Sequence, residues 1–160
     1  MLKITKKILL TSLIFTLSQS TFAASAVVPS YAALEKVLAA GDSVRTIITL
    51  SNCTMTAGTK PVVADSIFAG MNFDVFNKYQ TQIGTQLKDV IATSVAPLVL
   101  NNTLGPVYSY ARVRVFDDNS VEVFTDQFDP KTYAVLATAT FTCAISNGKD
   151  TNGVLLLDVS

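Results

Sequence analysis

Five carboxylates crowd one stretch of the chain, Asp117, Asp118, Glu122, Asp126 and Asp129, with no Lys or Arg between Arg114 and Lys131. Two of Glu122, Asp126 and Asp129 would suffice for glycoside hydrolysis if a cleft held them roughly 5–9 Å apart. A calcium ion would instead need six or more converging oxygens, and the ligand spacing of an EF-hand loop is absent. Against both chemistries, acids gathered round a turn are ordinarily solvated. Just before them Tyr108, Tyr110, Arg112 and Arg114 recur at every second position, which on a strand is one face. A row of phenol and guanidinium groups suits a glycan, a carboxylate or a partner's acidic loop. The plainer alternative is a sheet face whose charges are met across the strands.

Other chemistries are excluded by composition. The chain has no histidine, so neither Ser-His-Asp nor Cys-His catalysis can be assembled. Two cysteines alone cannot close a zinc site. No Walker A or G-x-G-x-x-G pattern is present for a nucleotide. No catalytic residue, metal ligand or cofactor is therefore assigned, and the expectation is a protein that is not an enzyme. Cys53 and Cys143 are expected to pair as a structural disulfide, closing a loop of about 91 residues, which the chain-entropy estimate values at up to ~4.6 kcal/mol. Neither cysteine has an adjacent base or a C-x-x-C partner that would make it a reactive thiol.

The elements that must position these groups follow from periodicity. Ser30 is a natural N-cap, Tyr31, Leu34, Val37 and Leu38 share one helical face, and Gly41 is a stop. About ten residues are too few for a helix to stand alone, so this one must pack on something. From Ser43 onward the period becomes two. Strands are expected over 43–54, over 66–78 with a bulge at Gly70, over 106–116 and 120–128, over 133–145 and over 154–159. Between Thr81 and Gly105 shorter strands are expected near Val90–Val95 and Leu98–Leu100, separated by Pro97. The fold class is mainly β: a single antiparallel β-meander domain of six to eight strands, barrel- or sandwich-like, with one short N-terminal helix.

The central hairpin has a definite register. Asp117, Asp118 and Asn119 fit a three-residue turn, a type I turn followed by Asn119 in the left-handed region. Arg114 then opposes Glu122, Arg112 opposes Phe124 and Tyr110 opposes Asp126. On the other face Val115 meets Val121 and Val113 meets Val123. A slip of one residue would bury Glu122 against Val115, so the apolar face and the opposite charges select the same pairing.

Lys3, Lys6 and Lys7 precede the largely apolar run Ile8–Leu17 and then small residues up to Ala26. This is the pattern of an export signal, residues 1–26, with cleavage after Ala23 or after Ala26. The run is too short to span a bilayer, and no transmembrane segment is expected in residues 27–160, which form one domain. The whole chain balances 12 Lys+Arg against 12 Asp+Glu, and loss of the three lysines leaves nine bases against twelve acids. A net charge near −3 argues against a nucleic-acid partner.

Several of these residues also follow one another in a recognisable order. Tyr31-Ala-Ala-Leu34, Leu38, Gly41, Val44-Arg45 and Leu50-Ser-Asn-Cys53 open it. Gly105-Pro-Val-Tyr108, Tyr110, Arg112-Val-Arg114 and Asp118-Asn-Ser-Val121 continue, and Asp129-Pro130, Tyr133 and Phe141-Thr-Cys143 complete it. The chain resembles the VirK family of small exported bacterial proteins first known from virulence regions of Agrobacterium. Asn119 stands where the family pattern has glycine, and Thr49 where an acidic residue usually precedes the Leu-Ser-x-Cys run. The resemblance implies export from a Gram-negative cell, to the periplasm or the medium, and an association with host interaction. It implies no catalytic residues. The expected function is a virulence-associated or accessory binding protein whose partner is a protein or glycan, including a host-derived one. The alternatives are a periplasmic structural or chaperone-like component of the envelope and, third, a carboxylate-dependent hydrolase.

Overall fold

The computed structural model describes residues 25–58 and 68–160. The export segment up to residue 24, with the Ala23 cleavage position, lies outside the described residues, as do Ser66 and Ile67 of the expected 66–78 strand.

Chain order is β1 (Ala26–Val27), α1 (Tyr31–Ala40), β2 (Val44–Thr49), a 3-10 turn (Leu50–Asn52), β3 (Thr54–Gly58), β4 (Phe68–Asn72), β5 (Phe76–Ile83), β6 (Gln86–Val95), β7 (Leu98–Asn101), β8 (Gly105–Phe116), β9 (Ser120–Phe128), β10 (Val135–Ser146) and β11 (Val154–Asp158). The protein is mainly β, and the 11 strands among the described residues, with one α-helix, exceed the six to eight expected. The surplus comes from short pieces that period-two counting merges or overlooks.

Two sequence expectations need correction. The stretch 66–78 is not one strand bulged at Gly70: β4 pairs with β2 without a register shift, Gly70 lying opposite Ile47. The phase slip arises because the chain leaves one edge of the sheet at Asn72 and re-enters at the other edge as β5. Nor is the sheet purely antiparallel. β11 runs parallel to β10 through two pairs, Ile145–Val154 and Ser146–Leu155. A parallel neighbour normally demands a long crossover. Here β11 starts beside the end of β10 and continues past it, so the 147–153 loop is enough.

The strand order β4-β2-β11-β10-β9-β8-β6-β5 places consecutive strands at opposite ends of the sheet. Only Phe73, Asp74 and Val75 join those ends, so the sheet must curl. The join is tied on both sides. Phe73 N donates to Val44 O at 2.8 Å, and the buried Thr93 hydroxyl donates to Val75 O at 2.8 Å. Inside the curl lies one apolar core, to which β8 and β9 contribute Val113, Val115, Val121 and Val123 and the β10–β11 side contributes Phe141, Ile145 and Leu156.

Helix α1 fills the concave side. Ser30 Oγ accepts from Ala33 N at 3.2 Å, and Gly41 ends the helix at φ 86°, a left-handed conformation that favours glycine. Tyr31, Leu34 and Leu38 are buried in the core, with Val37 packed at its margin. The helix therefore packs on the sheet through the face its periodicity marks out. Glu35 and Lys78 form an ion pair that fastens the helix to β5.

Cys53 and Cys143 form the expected disulfide, S–S 2.04 Å and Cα–Cα 4.6 Å. It joins the turn after β2 to β10, two residues before that strand meets β11. A side chain at Gly153 would place its Cβ 2.4 Å from Cys53 Sγ. Glycine there is what lets the start of β11 pass the bridge.

Candidate functional site

Strand β8 and its neighbours carry the row of tyrosines and arginines on the outer, convex face. The expected register holds: Tyr110 opposes Asp126, Arg112 opposes Phe124 and Arg114 opposes Glu122, while Val113–Val123 and Val115–Val121 face the core. The sequence thus places the row correctly. The structure divides it into a committed half and an available half.

Arg114 is committed. Its Nε donates to Glu122 Oε1 at 2.9 Å and its Nη2 to Glu122 Oε2, a bidentate pair. Its guanidinium also lies 5.5 Å from the Phe116 ring centroid. The hydrogen bond that Arg114 donates to Glu122 is the main cause holding the Arg114 pKa above its ordinary value, against a lowering by burial. Phe116 is itself buried, in a small outer-face cluster with Val90 and Ala92, and Lys88 covers its ring.

Arg112 is less engaged. Its Nη2 reaches Glu122 Oε1 at 3.4 Å, its guanidinium rests 5.2 Å from the Phe124 ring, and its side chain is 38% exposed. Its Nε and Asp126 Oδ1 are buried without a hydrogen-bond partner among the described residues. Beside it opens a groove of about 200 Å³ lined by Val75, Asn77, Tyr79, Ser94 and Arg112. Tyr110 meets Phe124 edge-on, with 6.1 Å between centroids. Tyr108 stacks on Tyr133, with centroids 6.1 Å apart and planes within 4°. Tyr133 is 68% exposed and sits at φ 58° in the β9–β10 turn. Sequence reasoning missed it as a site residue because its strand pattern counts it as the first residue of β10. A turn residue with positive φ carries no period-two signal.

The same end of the sheet exposes aliphatic side chains. Leu98 and Leu100 on β7 and Val135 on β10 are all more than half exposed. Leu98 pairs with Tyr108, Tyr108 with Phe128, and Phe128 with Val135. The apolar patch therefore continues across four strands from the tyrosines.

The acidic turn has a structural task. Asn119 adopts φ 65°, as the three-residue turn requires, and its Oδ1 accepts from Tyr31 N at 2.7 Å. That side chain satisfies a donor at the start of α1, which the glycine of the family pattern has no atoms to do. Asp118 Oδ1 accepts from Ser120 N at 3.1 Å and Ser120 Oγ at 2.6 Å, and the carboxylate pairs with Lys88. Asp129 Oδ1 accepts from the backbone N–H groups of Thr132 and then Lys131, which hold its pKa below the ordinary value. Glu122 and Asp126 lie four residues apart on one face of β9, about 13 Å along a strand. That exceeds the separation a glycosidase pair uses. Neither the groove at Arg112 nor a second one, between Thr49, Asn52 and the loop that leads into β11, is lined by Glu122, Asp126 or Asp129. No group of three or more potential metal ligands occurs among the described residues.

The Asp118 carboxyl makes a pH prediction. Hydrogen bonds from Lys88 first, and then from Ser120, lower its pKa from 3.8 to about 2. The folded state thus holds the ionised form more tightly than the unfolded chain does. Its stabilising contribution is complete above about pH 4 and is lost as pH falls through 3.8 toward about 2. Asp118 is 48% exposed, so solvent screening keeps that contribution under about 1 kcal/mol. Asp118→Asn is expected to flatten the decline in urea midpoint over that window and to leave the slope above pH 5 unchanged.

The comparisons agree with this architecture. A family model described as VirK protein matches residues 27–133. No curated protein is significantly similar to the chain. The crystal structure of a VirK family protein from Legionella pneumophila superposes with a TM-score of 0.62 at 14% identity, covering 82% of this chain and 98% of that one. At that identity the likeness speaks for the fold. The family model matches most of the chain, from β1 through the β9–β10 turn that carries Tyr133, and the chain belongs to the VirK family.

Proposed function

We propose that this chain is an exported, non-enzymatic accessory protein that acts by binding a protein or glycan partner, including a host-derived one. The contact face would be the Tyr108–Tyr133 stack with Arg112 at its border. The observation that carries this reading is the uneven engagement of the row. Arg114 is spent on Glu122, whereas Tyr133 is largely exposed over Tyr108 at one end of the row and Arg112, four residues further along the same strand face, stays half-open at a shallow groove. Tyr and Arg are the residue types enriched in binding hot spots.

Export is supported by the basic-apolar leader and by the disulfide, a bond that persists in oxidising compartments. Cleavage after Ala23 is favoured over cleavage after Ala26. Ala26 pairs with Asp158, so a cut after it would remove half of β1. Among the described residues no helix is long and apolar enough to cross a membrane.

The test uses the chain as it accumulates in the periplasm and the medium. Intact mass is expected to give a species beginning at Ala24 and lighter by the two hydrogens lost in the disulfide. Immobilised, it is expected to capture a partner from host-cell or envelope lysate. Arg112→Ala with Tyr133→Ala should weaken that capture at least about ten-fold with the thermal midpoint unchanged. Equal capture by the double variant would remove this face from consideration, and an unprocessed cytoplasmic chain would overturn export.

A second reading, a periplasmic envelope component of chaperone-like character, is favoured by one feature. β5 (Phe76–Ile83) pairs only with β6 among the described residues, which leaves one edge free to receive a partner's strand. Stoichiometric co-purification with an envelope protein would support it.

A further inference from the structure

We propose that the β7 edge, Leu98–Asn101, is the contact through which two copies of this chain associate as a two-fold dimer. β7 pairs with β8 on one side and with nothing on the other among the described residues. Free edges are usually guarded by charge, by proline or by extreme shortness. β5 carries one charge, Lys78, whose ammonium is drawn across to Glu35 of the helix. β7 has only Pro97 at its start. The sequence carries no charged residue between Asp89 and Arg112, and none between Lys131 and Lys149. The edge and the patch beside it therefore offer nothing complementary to a charged partner, and nothing that repels a second copy.

The side chains are self-complementary in one register. An axis normal to the sheet through Val99 sets Val99 against the partner subunit's Val99, and Leu98 against the partner subunit's Leu100. Each pair then lies on a common face, aliphatic against aliphatic. Centring on Leu100 instead would set Val99 against an asparagine. Leu100 is 78% exposed, Leu98 58%, Leu104 40% and Val99 38%. On and beside this one short strand that amounts to a few hundred Å² of apolar surface. It is less than the ~800 Å² per partner of a stable interface, as suits a dimer that dissociates on dilution.

Sedimentation velocity on the processed chain across micromolar concentrations tests the proposal. A dimer dissociating on dilution is expected. Leu98→Lys with Leu100→Lys should be monomeric, as should Leu98→Glu with Leu100→Glu. Mixing the two variants should restore a dimer, because each lysine would face a glutamate across the axis. All these positions are exposed on the free subunit, so far-UV circular dichroism and thermal midpoint should match the parent. A parent that stays monomeric overturns the proposal. So does a dimer that survives in the lysine variant. Partner capture through Tyr133 and Arg112 is read separately, so a monomer that still captures its partner would refute the dimer alone.

Discussion

Replacing Cys53 and Cys143 together by alanine is expected to lower the unfolding free energy by about 4 kcal/mol, close to the ~4.6 kcal/mol ceiling of the chain-entropy estimate. The two cysteines are 90 positions apart, so the bridge removes much of the unfolded chain's freedom. Its location adds to the effect. It crosses from the turn after β2 to β10, at the place where β10 meets β11 through only two residue pairs. Without it that seam depends on β3 and on core packing. Urea unfolding should show a midpoint shift that accounts for the loss, and the thermal midpoint should fall by about 12 °C. The slope m should rise, because an unbridged unfolded chain exposes more surface. A loss below about 1 kcal/mol would mean that native-state strain cancels the entropic gain. A chain kept reduced would be the less stable one.

Leu34→Ala is expected to cost about 3 kcal/mol. Leu34 is fully buried and lies mid-helix against the sheet core. Truncations of this kind lose transfer free energy and leave a cavity, together typically 2–5 kcal/mol. Alanine is the best helix former, so propensity cannot account for a loss and the measured change reports docking alone. The control is Leu87→Ala on the β6 side of the β5–β6 hairpin, 65% exposed, expected to change stability by less than about 0.5 kcal/mol. A cost below about 1 kcal/mol at Leu34 would show that α1 is not seated in the curl in solution.

Much of the candidate face was legible in the sequence because hairpin register is local. A three-residue turn and two valine pairs select one alignment, and the Arg114–Glu122 pair follows from it. What local pattern cannot report is how far each member is engaged. Arg112 and Arg114 are equivalent in sequence, but only Arg114 can reach both oxygens of Glu122. Asn119 was legible as a turn residue. Its role as acceptor for the first residue of α1 depends on a contact 88 positions away.

By itself the sequence determined the mainly β character, the helix with its Ser30 and Gly41 ends, the central hairpin and the pairing of its only two cysteines. These rest on short-range rules: residue period, turn stereochemistry and the count of available thiols. Tertiary structure alone decided that 66–78 splits between opposite edges of a curled sheet and that β11 runs parallel to β10. It also decided that Tyr133 stacks on Tyr108. Each of those outcomes depends on which distant strands share an apolar core. Period-two alternation tells a strand which side to bury but not which neighbour to lie beside, so only closure of the whole sheet around Leu34 and the core valines selects it.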